Sequence, residues 1–120
     1  MTHFHKVQVL RGELKRSEIR AGIRYQLTTE EFILQRSQRT YRIALDNILG
    51  LMECPEDEFR LHGGFDQERA QACGRPYKIV TTLLYLVSPA GVIEQSRVSL
   101  YARLSAAFAD QMTALLRASS

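Results

Sequence analysis

The chain predicts a mainly β domain: a small antiparallel barrel or sandwich capped by one C-terminal α-helix. Three observations carry this expectation. Apolar residues alternate through two turn signals between Ile23 and Leu51, a second hairpin follows near the end, and the spacing beyond Ser105 becomes helical.

Gly22 opens the clearest strand. Ile23, Tyr25 and Leu27 alternate with Arg24, Gln26 and Thr28, so one face is apolar and the other meets water. Thr28-Thr29-Glu30-Glu31 forms a turn, and Phe32 and Leu34 continue the inward face on a pairing strand that runs to Arg36. Ser37-Gln38-Arg39 breaks the pattern. Tyr41, Ile43 and Leu45 then put three large side chains on one face and Arg42 on the other. Asp46-Asn47 hydrogen-bonds its own backbone to start a corner, with Ile48 and Leu49 tucked beneath it and a strand from Gly50 to Cys54 beyond.

Tyr77 to Val87 reads as a long strand with apolar residues on both faces: Leu83, Tyr85 and Val87 on one, Leu84 and Leu86 on the other. Both faces need cover, one from the barrel interior and the other from the terminal helix or a second subunit. Ser88-Pro89-Ala90-Gly91 turns into a last strand from Val92 to Tyr101. Ser105 is an N-cap for a helix whose stripe of Phe108, Met112, Leu115 and Leu116 must dock on the sheet, because a helix this short is marginal alone.

Two segments read less simply. Phe4 to Leu10 alternates as a strand with either face inward, and Glu13 to Ile19 is a returning strand or one helical turn, since Glu, Leu, Lys and Arg favour helix. Residues 1–19 are thus an N-terminal extension or an extra hairpin. Residues 55–76 read as a long loop with a short strand near Phe59 to Leu61; loops beyond about 12 to 15 residues are commonly functional or disordered, so a site is expected there if anywhere.

With 120 residues and 45% hydrophobic content, the chain fits one domain over 1–120. The apolar run from Ile79 to Val87 is far below the roughly 20 residues that cross a bilayer. The N-terminus lacks a secretory pattern, so a cytoplasmic location and no membrane role are expected. Cys54 and Cys73 are too few for a disulfide framework and read as free thiols. Residues 1–42 hold nine Lys or Arg against four Glu, whereas 43–76 hold three basic and seven acidic side chains. The basic third attracts phosphate or serves as a solvated face that protects a sheet edge.

Reactive constellations are thin. His3 and His5 share a strand face without a third ligand, and His62, Cys54 and Cys73 match no metal-ligand spacing. Asp57, Glu58, Asp66 and Glu68 form a wet charge run, whereas acid–base catalysis requires a desolvated carboxyl. No glycine-rich phosphate loop, serine elbow or metalloprotease helix occurs. Catalysis, a metal and a cofactor are therefore not expected. Tyr25, Phe32 and Tyr41 share the inward phase while their arginine neighbours point outward, so the stacking platform of nucleic-acid binding is not expected either.

The residues Leu27-Thr28-Thr29-Glu30-Glu31-Phe32-Ile33-Leu34 and Ile43-Ala44-Leu45-Asp46-Asn47-Ile48-Leu49-Gly50-Leu51 resemble the first hairpin, and the third strand with its corner, of the pleckstrin-homology-like superfamily with its bacterial and GRAM-type branches. The likeness covers about residues 20 to 118. It implies about seven strands in two near-orthogonal sheets capped by the helix. It also implies binding of phosphoinositides, peptides or other domains rather than catalysis. Glu30 and Glu31 stand where phosphoinositide-binding members carry Lys and Arg, and no tryptophan is present, so the likeness is to the broader fold.

A second segment, Arg16-Ser17-Glu18-Ile19-Arg20, is similar to the Arg-x-x-x-Arg element of PilZ domains, which implies cyclic di-GMP binding. The later Asp-x-Ser-x-x-Gly element is not matched, because Asp46-Asn47-Ile48-Leu49-Gly50 has Ile for Ser and its Gly one position early.

The leading expectation is a noncatalytic binding module. It engages a protein partner, or its own copy as a homodimer, through a sheet edge or the face of Leu84 and Leu86. The alternative is a sensor of a small phosphate or cyclic dinucleotide that uses Arg16, Arg20, Arg24 and the 55–76 loop.

Overall fold

The computed structural model describes residues 10–62 and 74–118. Strands β1 (Leu14–Arg20), β2 (Ile23–Thr28), β3 (Glu31–Arg36) and β4 (Arg39–Ala44) form an antiparallel meander. A 3-10 turn (Leu45–Asn47) leads into β5 (Ile48–Glu53) and helix α1 (Glu56–His62), then β6 (Arg75–Ser88), β7 (Gly91–Leu104) and helix α2 (Ala106–Ala118). All seven strands belong to one antiparallel sheet, so the mainly β class with a C-terminal helix holds.

One long hairpin organises the whole. β7 lines β6 from Arg75↔Leu104 to Ser88↔Gly91, while the opposite side of β6 is shared: β5 takes residues 77–81 and β4 takes residues 85–87. The change of neighbour falls where the β6–β7 ladder skips Thr82 and Arg97, and Arg97 has φ 52 there. Inward phase slips by one at that point. Ile79 and Thr81 are buried before it, and Leu84 is buried after it.

The sheet curls until β1 meets the end of β7, and side chains close the seam. Arg20 Nη2 donates to the Arg103 carbonyl (2.9 Å), and Ser105 Oγ donates to Glu18 Oε2 (2.9 Å). Ser105 Oγ also accepts the Phe108 N–H (3.1 Å), which makes it the N-cap that the sequence predicts. α2 then sets Phe108 and Met112 fully inside, with Phe108 edge-on to Tyr25 (6.1 Å) and Phe32 (5.8 Å). Leu115 and Leu116 pack against this core from the same helix.

Several expectations change. Glu13 to Ile19 resolves as strand, because β1 pairs with β2 over Leu14–Arg20. The 55–76 loop with a strand near Phe59 to Leu61 is corrected: residues 56–62 are α1, and 75–76 already belong to β6. Pro55 precedes α1, and Glu56, Asp57 and Glu58 in its first turn suit the positive helix N-terminus. Ile48 packs against the core as expected, but Leu49 is exposed. The expected strand from Phe4, the His3–His5 pair and most of the loop, residues 63–73, lie outside the described residues.

Candidate functional site

The three arginines assigned to a ligand do not converge. In the β1–β2 register Arg16 faces Leu27 and Arg20 faces Ile23, whereas Arg24 faces Ile19 and so lies on the opposite side of the sheet. Arg16 pairs with Glu18 (2.5 Å), as does Arg20 (3.0 Å), whose guanidinium also stacks on Tyr25 (4.1 Å). Burial works against the Glu18 charge, yet hydrogen bonds from Arg16 and Ser105 and the charge of Arg20 hold its carboxyl below the usual range. Arg16 and Arg20 thus serve the β1 seam, and the alternation of a strand is what separates Arg24 from them.

A second polar cluster joins α1 to β6 and β7. Arg103, only 3% exposed, grips Glu56 through two bonds (Nη2 to Oε1 2.7 Å, Nη1 to Oε2 3.1 Å) and lies over the Phe59 ring (4.6 Å). Tyr101 Oη donates to Glu58 Oε2 (2.6 Å), Lys78 Nζ stands 3.4 Å from the same oxygen, and His62 stacks on Tyr101 (5.1 Å). The bond from Tyr101 keeps Glu58 below the ordinary carboxylate range, while burial and that same bond raise Tyr101. The bond to Glu58 raises Lys78. Burial, with the charges of Glu58 and Glu56, also raises the Cys54 thiol. Each shift favours the resting protonation state, so these groups fasten α1 and offer neither a ready base nor a thiolate.

A cleft of about 670 Å³ has Arg11, Glu31, Arg42, Asp46, Tyr85 and Val92 among its walls. Glu31 is 5% exposed and its Oε2 accepts from Arg42 Nη2 (2.6 Å) and the Arg11 backbone N–H (2.9 Å). Arg42 is thereby committed to an internal carboxylate, which removes it as a phosphate clamp.

The expected apolar interface at Leu84 and Leu86 is also corrected. Leu84 is a buried member of the core, and Leu86 packs against that core, because the phase slip at Thr82 turns both inward. Exposed apolar side chains lie elsewhere, on Tyr85, Val92 and Ile93 near the hairpin tip and on Leu49 and Met52 of β5.

β5 carries the arrangement best suited to binding. Among the described residues it pairs only with β6. The Cys54 N–H donates to the Pro76 carbonyl (3.0 Å), so Met52 and Gly50 direct their backbone groups to β6 while those of Leu51 and Glu53 point away from it. That free edge borders a trough of about 380 Å³ between β5 and α2, lined by Leu45, Ile48, Leu51, Thr113, Leu116 and Arg117 among others. The sequence names a sheet edge in general but not β5, which is an edge because it ends the strand order, a property no local pattern carries. No protein-family model, curated protein or solved structure matches the chain.

Proposed function

We propose that this chain is a noncatalytic binding module that takes an extended segment of a partner protein by strand addition along β5. One observation carries the reading: the backbone groups of Leu51 and Glu53, which pair with no other strand among the described residues, stand beside a trough of mixed character, apolar at Leu45, Ile48 and Leu116 and polar at Asp46, Thr113 and Arg117, that ends against α2. An added strand supplies the missing main-chain bonds, and every second side chain of it reaches the trough. Affinity then comes from the backbone, and selectivity from the fit over Leu45, Ile48 and Leu116. The paired state of Arg16, Arg20 and Arg42 supports this reading over a sensor of phosphate or cyclic dinucleotide.

Selection from a displayed library of random linear peptides tests it. Recovered peptides should alternate apolar and polar residues. Leu51→Pro, which deletes an outward N–H and leaves the β6 ladder intact, should weaken them roughly five- to tenfold. Peptides that bind the Leu51→Pro protein equally well, or a selection that recovers none, would count against strand addition.

A further inference from the structure

The chain enters the cleft of about 670 Å³ ahead of β1, by a fixed path. Glu13 clasps the β2–β3 turn twice: its N–H donates to Thr29 Oγ1 (3.0 Å), and its carbonyl accepts the Thr29 N–H (2.9 Å). Gly12 crosses that turn so closely that a Cβ there would stand 2.5 Å from Thr29 Oγ1. Arg11 then donates its N–H to the buried Glu31 and joins the cleft wall, and Leu10 is half-buried where residues 11–15 are exposed. The path ahead of β1 therefore leads off the sheet edge and onto the outer face of β3, β4 and β6. We infer that this cleft seats the chain's own first residues, with Lys6 to Val9 laid across it as an extended strap toward β7.

Reach, chemistry and burial all fit such a cover. Arg11 stands at β3, and β4, β6 and β7 follow at about 4.8 Å apiece, so the stretch from Lys6 to Leu10, at about 3.3 Å per residue, spans the roughly 14 Å to β7. Val7 and Val9 share one side of an alternating segment, and the cleft meets them with Tyr85, Val87 and Val92, of which Tyr85 and Val92 are exposed. Residues 1–10 hold His3, His5 and Lys6 and no acid. Opposite them, Glu30 and Asp46 on the cleft wall and Glu94 beside Tyr85 form no ion pair among the described residues. The charges are thus complementary across the gap. Ile33 lies on this same outer face, paired with Arg42 and outside the main core, yet it is fully buried, and Glu31 and Thr40 of that face are nearly so. A sheet face that buries an isoleucine in this way is built for cover rather than for water.

Thiol alkylation and NMR test this in the full chain. Ala44→Cys, on the cleft wall in a Cys54→Ser, Cys73→Ser background, should react with iodoacetamide at least about tenfold faster once Val7→Asp and Val9→Asp are added. Ser96→Cys, exposed on β7 outside the cleft, should react at one rate in both backgrounds. The wild-type protein should show nuclear Overhauser contacts between the Val7 or Val9 methyls and the Tyr85 ring at every protein concentration, a readout that needs no variant and so holds even if the substituted chain fails to fold. Alkylation of Ala44→Cys indifferent to residues 7 and 9, no such contacts, or contacts that vanish on dilution because a second copy supplies the strap, would each overturn the inference. None of these readouts involves β5 or Leu51.

Discussion

Arg103 and Glu56 join the last strand to the first helix: a guanidinium 3% exposed holds a carboxylate through bonds of 2.7 and 3.1 Å, and its Nη1 also reaches the Gly74 carbonyl at 3.4 Å. Arg103 therefore ties the first turn of α1 to β7 and to the residue that precedes β6. Its Nε has no hydrogen-bond partner, a cost borne by the stacking on Phe59.

Arg103→Ala removes the pair, the tie to Gly74 and the platform under Phe59 together. It should destabilise the protein by about 3 kcal/mol in urea unfolding. Arg103→Met keeps the aliphatic contact and should recover part of that loss.

Ser105 separates two roles that an ordinary cap combines. Its oxygen accepts the Phe108 N–H, and its hydroxyl donates to Glu18. Ser105→Asn should cost about 1 kcal/mol or less. Ser105→Asp, normally an equal cap, sets a second carboxylate against Glu18 and should lower the melting temperature further than Asn.

Gly74 sits where a side chain does not fit. A Cβ there would stand 2.7 Å from the Leu104 carbonyl oxygen and 2.8 Å from Arg20 Nη1. Gly74→Ala should cost roughly 1–3 kcal/mol in thermal or urea unfolding. Gly22→Ala meets no neighbouring atom and should cost only the strain of its φ of 81, about 1 kcal/mol.

Acid should release α1 early. Glu56 is held below its ordinary value by the bond from Arg103, and Glu58 by the bond from Tyr101. The unfolded chain thus binds more protons than the native one, and stability falls as pH drops from the ordinary carboxylate value near about 4.3 through the lowered native values. Hydrogen exchange at the Phe59 amide, which donates to the Pro55 carbonyl (3.0 Å), should quicken in that window before the amides of β2 and β3 do. At the other end of the scale, ultraviolet titration should find Tyr77 and Tyr101 ionising above the ordinary tyrosine value.

What the sequence disclosed and what it hid divide by range. Ile23, Tyr25, Leu27, Phe32 and Ile43 reveal their inward face because alternation is local, and Ser105 reveals the cap because its partner is three residues away. α1 escaped because a seven-residue helix with one buried side chain, Phe59, shows no period, although its acidic first turn and basic last turn were legible. The outward reading of Leu84 and Leu86 failed because a distortion at Thr82 and Arg97 reverses the phase mid-strand, and nothing local to Thr82 announces it. The separation of Arg24 from Arg16 and Arg20 needed a register that only the β1–β2 pairing supplies. The free edge of β5 is a property of its neighbours, so it emerged only with the sheet order.

Residue-resolved amide exchange with a selected peptide bound tests the central claim most directly. Strand addition predicts strong new protection at the Leu51 and Glu53 amides, with Val92 and Glu94 unaffected by the peptide. Protection confined to the cleft beside Glu31 and Arg42, or none along β5, would contradict it.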